Sequence, residues 1–236
     1  MRLDKYLSNH GVGSRKDVKS LLKKKVIAVN DEIVTKADIK IDPDQDKITV
    51  QGEVIHFEPF IYLMLNKPAG VVSSTQDKDK TVIDLIDGLE HYDLHPVGRL
   101  DKDTEGLLIL TNDGQFTHDV LSPKKHVNKT YYAKISGIVT QDTVLQFKQG
   151  VTLDDGYHTM PGELKILAVD DVQKTSEIEL VIQEGKFHQV KRMFLAHGMK
   201  VTYLKRIKMG NLTLDETLLP GEYKTLTPEA LNLVRN

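Results

Sequence analysis

The chain has 236 residues, with 32 lysines and arginines against 34 aspartates and glutamates, 39% hydrophobic residues and no cysteine. This length and composition are those of a globular protein with a sizeable core, which excludes wholesale disorder, a fibrous repeat and a coiled coil. The lack of cysteine excludes disulfides, thiolate metal sites and a cysteine nucleophile, and the longest apolar run, residues 60–65, is far shorter than the ~20 residues of a membrane-spanning helix.

The first part of the chain, residues 1–58, is predicted to begin with two short helices. Apolar side chains within residues 3–7 have helical spacing. Ser14 is a good N-cap, and Asp17 follows three residues later, where a carboxylate meets the free amides of a first turn. Apolar positions within residues 18–22 then form one stripe, so this second helix buries one side and presents cations on the other.

Two β-hairpins are predicted to complete this module, at residues 26–34 and at residues 48–55. A linker is expected around residues 57–60, which include a proline. We therefore predict two domains, a small α/β module over residues 1–58 and a larger domain over residues 59–236.

The larger domain is predicted to mix strands and helices irregularly, which favours an α+β fold over a regular parallel βαβ array. We expect a mixed, mainly antiparallel sheet flanked by helices. The expected strands are residues 61–65, 107–110, 129–135 and 177–182, the expected helices are residues 81–89 and 190–197, and a turn is expected at residues 112–114.

The near-neutral net charge conceals two basic stretches. Residues 1–25 hold eight cations and two anions, and residues 184–208 hold seven cations and one anion. A charge run is ordinarily a solvated surface, and this interpretation stays open for either stretch taken alone. Local basic patches nevertheless bind polyanions whatever the net charge of the chain.

Two motifs with metal- or nucleotide-binding potential do not support such a site. His91 and His95 have the spacing of a helical zinc pair, but the segment between them lacks the glutamate of a metalloprotease and Pro96 disfavours a helix at His95. The glycines at residues 11–13 match neither phosphate-binding fingerprint. We therefore expect no metal and no cofactor.

The most informative segment is residues 98–106, a polar loop between glycines that leads into a buried strand. The five charged residues within it are also typical of a surface turn. The wider string "HPVGRLDKDTEGLLILTNDG" closely resembles the catalytic signature of pseudouridine synthases. The strings "LNKPAGVVSS", "KTYYA" and "EGKFHQVKRMF" resemble further segments of that catalytic domain, and "RLDKYLSNHGVGSRKDV" resembles the start of the S4 RNA-binding domain.

This order of motifs is similar to that of the RsuA family of ribosomal small-subunit pseudouridine synthases. The resemblance implies that Asp101 is the catalytic carboxylate, Lys191 its cationic partner and Tyr131 the active-site tyrosine. Arg99 is a candidate to contact a flanking phosphate or to fill the vacated base stack. The remaining expected pocket residues are Gly98, Leu100 and Val190.

We expect the backbone of the RNA to be neutralised by cations from both basic stretches. The candidates are Lys5, Arg15, Lys16, Lys19 and Lys23 in the first stretch, and Arg192, Lys205 and Arg206 in the second.

The function predicted from the sequence is the conversion of one uridine of 16S rRNA to pseudouridine, by a monomeric cytoplasmic enzyme that binds no membrane. One alternative is the same reaction on 23S rRNA, and another is a non-catalytic RNA-binding or ribosome-assembly factor. A third is a metal-dependent nuclease that would use Asp101, Asp103 and Glu105.

Overall fold

A computed structural model of the protein describes residues 1–55, 60–89, 92–122 and 125–235. The chain divides into two compact units, residues 1–61 with 86–94, and residues 62–85 with 95–236. The domain boundary predicted after residue 58 and most of the predicted linker lie outside the described residues. Across the described ranges, no helix has both the length and the apolar character needed to cross a bilayer.

The first unit opens with two helices, α1 (Leu3–Asn9) and α2 (Arg15–Lys23). The Ser14 hydroxyl accepts a hydrogen bond from the Asp17 amide at 3.3 Å, and the Asp17 carboxylate accepts one from the Ser14 amide at 2.9 Å. This capping box confirms the predicted start of α2.

The same unit continues as a four-stranded antiparallel sheet with the strand order β2-β1-β3-β4. Its strands are β1 (Ile27–Val29), β2 (Glu32–Ile33), β3 (Ile48–Val50) and β4 (Glu53–Ile55). Both predicted hairpins are confirmed. The helices and the sheet enclose one apolar core, formed by Leu3, Tyr6, Leu7, Val18, Leu22, Ile27, Ile41 and Ile48.

The second unit is built on a nine-stranded sheet with the central order β13-β5-β7-β11-β8-β10-β9, to which β6 adds at β7 and β12 adds at β11. Its strands are β5 (Tyr62–Lys67), β6 (His95–Pro96), β7 (Glu105–Thr111), β8 (Lys129–Ser136), β9 (Glu163–Asp170), β10 (Thr175–Ile182), β11 (Lys200–Met209), β12 (Leu212–Thr213) and β13 (Tyr223–Thr225). Its helices are α3 (Gly114–Leu121), α4 (Gln141–Gln149), α5 (Gln189–Leu195) and α6 (Pro228–Arg235). Of its strand pairs, β7 with β11 is parallel and the rest are antiparallel, as the predicted fold class requires.

The parallel pair β7–β11 depends on a glycine. At Gly106 φ is +101°, and a Cβ atom there would lie 2.2 Å from the carbonyl oxygen of Arg206 on β11. Only glycine allows the two backbones to approach this closely. Gly106 is the last residue of the polar loop of residues 98–106, so the contact also fixes where that loop joins β7.

The prediction of a helix at residues 81–89 is wrong, because the chain forms only a short 3-10 turn there, at Ile83–Leu85. The first two residues of this segment pair with another part of the chain instead. Thr81 forms a β-bridge with Val72, and the Val82 amide donates to the Val72 carbonyl at 3.0 Å.

The turn predicted at residues 112–114 is the start of a helix that the sequence analysis missed. The Asp113 carboxylate accepts a hydrogen bond from the Phe116 amide at 3.0 Å and so acts as the N-cap of α3. An Asn-Asp-Gly string favours a turn, but here the aspartate satisfies the free amides of a first helical turn.

Candidate active site

The polar loop between β6 and β7 is anchored by a buried lysine at the end of β5. The ammonium of Lys67 donates to the carbonyls of Pro68, Lys102 and Thr104, at 3.0, 3.3 and 2.8 Å. Lys67 is fully buried, and burial lowers the pKa of its ammonium to about 8, although Asp103, Asp101 and Glu105 act in the opposite direction. The bonds to Lys102 and Thr104 tie the loop to the sheet, and the bond to Pro68 lies within the turn that follows β5.

A second anchor holds the residue just before Asp101. The Ser73 hydroxyl donates to the Leu100 carbonyl at 2.9 Å and accepts from the Leu100 amide at 3.1 Å. The Thr104 amide donates to the Asp101 carbonyl at 3.0 Å, which closes the loop on itself. The backbone on both sides of Asp101 is therefore fixed, and its side chain has a defined direction.

Lys191 in the first turn of α5 lies between two carboxylates of this loop. Its ammonium is 3.0 Å from Oδ2 of Asp101 and 2.6 Å from Oδ1 of Asp103. Burial alone would lower the pKa of Lys191, but its hydrogen bonds and charge interactions with Asp103 and Asp101 outweigh burial and raise it. Burial likewise acts to raise the pKa of Asp103, and the bond from Lys191 overcomes it and lowers that pKa.

His188, just before α5, is a further neighbour of Asp101 that the sequence analysis did not single out. Its Nε2 atom lies 3.6 Å from Oδ1 of Asp101. The backbone of His188 is left-handed, with φ of 51°, and its ring stacks on the exposed Phe187 ring at a centroid distance of 3.7 Å. His188 and Phe187 both lie in the string "EGKFHQVKRMF", whose resemblance to the catalytic domain could have indicated them as site residues.

These groups surround a pocket in the second unit. Tyr131, only 7% exposed, lies on β8 in register with Leu180 on β10, and both residues belong to the same face of the sheet. Of the residues predicted for the site, the pocket is lined by Arg99, Leu100, Asp101, Tyr131, Val190 and Lys191. Gly98 does not line it but borders an adjoining cavity.

The cations predicted to bind RNA differ between the two stretches. Those of the first stretch are exposed, namely Lys5, Arg15, Lys16, Lys19 and Lys23. In the second stretch, Arg192 forms ion pairs with Asp154 at 2.5 Å and with Asp155 at 2.7 Å. Lys205 is half-buried, and Arg206 is only 2% exposed. The second stretch is therefore not one solvated basic surface, because successive residues of β11 point to opposite faces of the sheet.

The described residues do not contain three His, Cys, Asp or Glu side chains close enough together to hold a metal ion. Glu105, which the nuclease alternative would need, accepts a hydrogen bond from the Tyr203 hydroxyl at 2.7 Å. His91 lies outside the described residues, so its predicted spacing with His95 has no structural counterpart here.

Comparison with known families gives two matches along the chain. The family described as RNA pseudouridylate synthase matches residues 61–196, which contain the loop of Asp101, Tyr131 and Lys191. The S4 domain matches residues 1–47, which contain α1, α2 and the first strands.

Individual relatives align along almost the whole chain. An uncharacterized RNA pseudouridine synthase of Bacillus subtilis is 46% identical and covers 99% of this chain and 98% of its own length. A ribosomal small subunit pseudouridine synthase A of Yersinia pestis is 42% identical over 98% of this chain and 97% of its own. A ribosomal large subunit pseudouridine synthase B of Bacillus subtilis is 38% identical over 99% of this chain and 95% of its own.

A crystal structure of a pseudouridylate synthase shares this fold, with a TM-score of 0.69, 37% identity and 99% coverage of both chains. The family match extends over more than half of the residues, and the relatives are similar from end to end. The chain is thus an RNA pseudouridine synthase that belongs to the RsuA family and begins with an S4 domain.

Proposed function

We propose that this enzyme converts one uridine of 16S rRNA to pseudouridine, with Asp101 as the catalytic carboxylate. The observation that carries the proposal is the ion pair between Asp101 and Lys191, at 3.0 Å, beside a pocket that also contains Tyr131. A fixed carboxylate, a cation and an aromatic ring converge there.

The reaction sets the chemical requirements of this pocket. The bond between C1′ of ribose and N1 of uracil breaks, the base turns, a bond forms between C1′ and C5, and the C5 proton leaves while N1 gains one. The product is an isomer of the substrate, so the proposal requires no oxidant and no cofactor. It requires a carboxylate that acts as nucleophile or base, and Asp101 has the position for that role.

Lys191 compensates the negative charge of this carboxylate. A carboxylate partly withdrawn from water is stabilised by a cation at ion-pair distance. The ammonium of Lys191 lies within ion-pair distance of Asp101, and both side chains are 25% exposed. The pair also fixes the direction of the carboxylate, which a displacement reaction needs.

Tyr131 is the proposed stacking partner of the target base. A base inside folded RNA has to leave its stack before an enzyme reaches its sugar bond, at a cost of a few kcal/mol. An aromatic ring in the pocket offsets part of that cost by stacking. Tyr131 and Val190 are both nearly buried at the pocket, while Arg99 is exposed beside it. This supports Arg99 as a contact for the RNA that flanks the base.

The small-subunit target is supported by similarity alone. The relative named for the small subunit in Yersinia pestis is 42% identical, and the relative named for the large subunit in Bacillus subtilis is 38% identical. The same reaction on 23S rRNA is therefore a second candidate, favoured by the latter relative.

The two predicted domains have separate roles in this proposal. The domain of residues 1–58 holds RNA through its exposed cations, and the domain of residues 59–236 carries out the isomerisation. We propose a monomer that acts on rRNA in the cytoplasm.

Tritium release tests the proposed chemistry. Wild-type enzyme incubated with a 16S transcript labelled with tritium at C5 of uridine releases label into water. Asp101→Asn keeps the shape of the side chain and lowers the release rate at least about a thousandfold. The control Asp79→Asn changes an exposed aspartate that pairs with Lys102, and it retains the wild-type rate.

A 23S transcript is assayed in parallel, followed by mapping of pseudouridines in rRNA from cells with and without the gene. Release from the 23S transcript alone would support the second candidate. Release by Asp101→Asn at the wild-type rate would remove Asp101 from the chemistry. Wild-type binding of either RNA without any release would support a non-catalytic RNA-binding factor.

A further inference from the structure

A second cavity of about 560 Å³ adjoins the pocket of Asp101 in the same unit. The two share the lining residues Arg99, Tyr131, Gly185 and Lys186. The volume falls within the ~300–1,000 Å³ typical of sites for small organic molecules. A ligand that occupies the first pocket and extends beyond Tyr131 therefore enters this space.

Two buried cations line the cavity on the face of the sheet that carries Tyr131. Arg206 on β11 is in register with Tyr131 on β8, and Lys129 precedes Tyr131 by two residues on the same strand. Lys129 is 7% exposed and Arg206 is 2% exposed. Because side chains two residues apart on a strand share a face, both cations project to the side of the target pocket.

Arg206 has unused hydrogen-bonding capacity at this cavity. Its Nε atom donates to the Leu107 carbonyl at 2.8 Å, whereas its buried Nη2 atom has no partner among the described residues. A buried donor that lacks an acceptor destabilises a fold, so this atom calls for an acceptor from outside the described residues.

No carboxylate of the described residues pairs with these buried charges. Within the described part of the chain, neither Lys129 nor Arg206 forms an ion pair, and Lys129 donates to the carbonyls of Val127 and Gln183 instead. Burial, with the charge of Arg206 added to it, lowers the pKa of the Lys129 ammonium to about 8. This is the environment of a cation that lacks its anion.

Glu184 is the carboxylate that borders the cavity, and its acceptors are already engaged. It accepts hydrogen bonds from the Tyr157 hydroxyl, the Met160 amide and the Gln189 side chain. It therefore shapes the wall that Tyr157 and Met160 form, and the two buried cations remain available to a ligand.

We propose that this cavity binds the nucleotide next to the target uridine, with its phosphodiester oxygens accepting hydrogen bonds from Arg206 and Lys129. The inference rests on the proposed function, because the target base is assigned to the pocket of Asp101. The apolar parts of Leu121, Tyr157 and Met160 offer a surface for the neighbouring base. Affinity for the target thus depends on one phosphate held inside the catalytic unit as well as on contacts at the protein surface.

The test compares the dinucleotide UpU with its methylphosphonate analogue, which has the same shape and no charge at the linkage. Isothermal titration calorimetry of the intact enzyme measures both dissociation constants. We expect UpU to bind wild type at least about tenfold more tightly than the analogue, a ratio that a charge-assisted bond of ordinary strength produces. Lys129→Met and Arg206→Met should reduce this ratio to about one.

Matched variants separate the subsite from general effects of charge and folding. Lys200→Met removes an exposed cation from the beginning of β11 and should keep the wild-type ratio. Met160→Trp leaves both buried cations in place but fills the cavity, and it should weaken UpU to the affinity of uridine. That variant keeps the test valid if Arg206→Met fails to fold.

Equal affinity of wild type for UpU and the analogue would overturn the proposal, as would a preference that survives in both cation variants, or no binding of UpU. Inorganic phosphate that binds as tightly as UpU would replace the nucleotide subsite with a site for a free anion. Binding of UpU needs no turnover, so the calorimetric test of the subsite is independent of the tritium-release test of catalysis. Preference for UpU without release would leave the subsite in place and remove the catalytic proposal.

Discussion

Lys191 holds together two carboxylates that would otherwise repel each other. Asp103 is 71% exposed and Asp101 is 25% exposed, so water screens the first more than the second. The ammonium is nearer to Asp103, at 2.6 Å, than to Asp101, at 3.0 Å, but its pair with Asp101 is the less screened of the two. Asp103 limits the movement of Lys191 from the solvent side.

Replacement of Lys191 by methionine should separate its effect on chemistry from its effect on binding. Lys191→Met leaves Asp101 without its cation, and we expect kcat to fall at least about a hundredfold while the KM for RNA changes little. Asp103→Asn, which leaves the pair of Lys191 with Asp101 in place, should lower kcat less than tenfold. Tritium release measured over a range of RNA concentrations gives kcat and KM for each variant. The control is Lys102→Met, which removes an exposed cation paired with Asp79. An unchanged kcat in Lys191→Met would contradict the role of the pair.

Lys67 and Lys129 should make the stability of the fold depend on pH. The pKa of each ammonium falls from the usual 10.5 to about 8 on burial. Between these values the unfolded chain holds more protons than the folded chain, so the free energy of unfolding rises as the pH rises through this range. Tyr62 and Tyr132 act in the opposite direction only above pH 10, because their pKa values increase from 10.0 to about 12 on folding.

Urea unfolding between pH 8 and 9.5 measures this dependence, and Lys67→Met should reduce its slope by about half, since one of the two shifted lysines is removed. Lys148→Met, an exposed lysine of α4, should leave the slope unchanged. A slope that stays the same in Lys67→Met would show that the buried ammonium is not the titrating group.

At the scale of elements, local patterns identified the parts of the fold that depend on local chemistry. The capping box of α2, both hairpins of the first unit and the buried strand β7 follow from short-range spacing and turn residues. The prediction of a helix at residues 81–89 failed because Thr81 at its start pairs with Val72. A local sequence pattern does not indicate where such a partner lies.

The residues of the site also fall into those that the sequence indicated and those that it did not. Asp101, Tyr131 and Lys191 were found because their motifs resemble those of a family, and spacing alone did not bring them together. Lys67 was missed because a lysine next to a proline gives no local sign that it is buried under three carbonyls. Arg206 looked like a surface cation in a basic stretch, and only the register of β11 with β8 indicates its buried face.

A substitution at Gly106 tests the close approach of β7 and β11, which holds the end of the loop of Asp101. Gly106→Ala should lower the free energy of unfolding by more than about 3 kcal/mol, because the strain of a positive φ adds to a backbone clash with Arg206. Gly156→Ala is the matched control, since φ there is +82° and nothing lies within 4 Å of the added Cβ atom. It should cost only the strain, about 1–3 kcal/mol. Urea denaturation that gives equal losses for the two variants would contradict the close approach.

At the scale of the whole molecule, charge is distributed unevenly although the net charge is only −2. Helix α2 buries Val18 and Leu22 and leaves its cations exposed, whereas the basic stretch of residues 184–208 has Arg206 buried and Arg192 paired with aspartates. We therefore propose that the first unit provides the long-range attraction of RNA. In this proposal the buried cations of the second unit act only on a nucleotide that has already entered.

Neutralisation of α2 should weaken RNA binding through its dependence on salt and leave the isomerisation step intact. In the variant with Arg15, Lys16, Lys19 and Lys23 changed to glutamine, the slope of log K against log salt should lose about three units, since each phosphate contact contributes ~0.7–0.9. The control changes four exposed lysines of the second unit to glutamine, namely Lys148, Lys165, Lys174 and Lys200, and removes the same net charge. Filter binding of a 16S transcript between 50 and 200 mM salt gives the slopes, and tritium release at saturating enzyme gives the rate of the chemical step. Equal loss of slope in both variants would mean that net charge, and not the surface of α2, attracts the RNA. A lower release rate at saturation in the α2 variant would mean that this helix takes part in the chemistry as well as in binding.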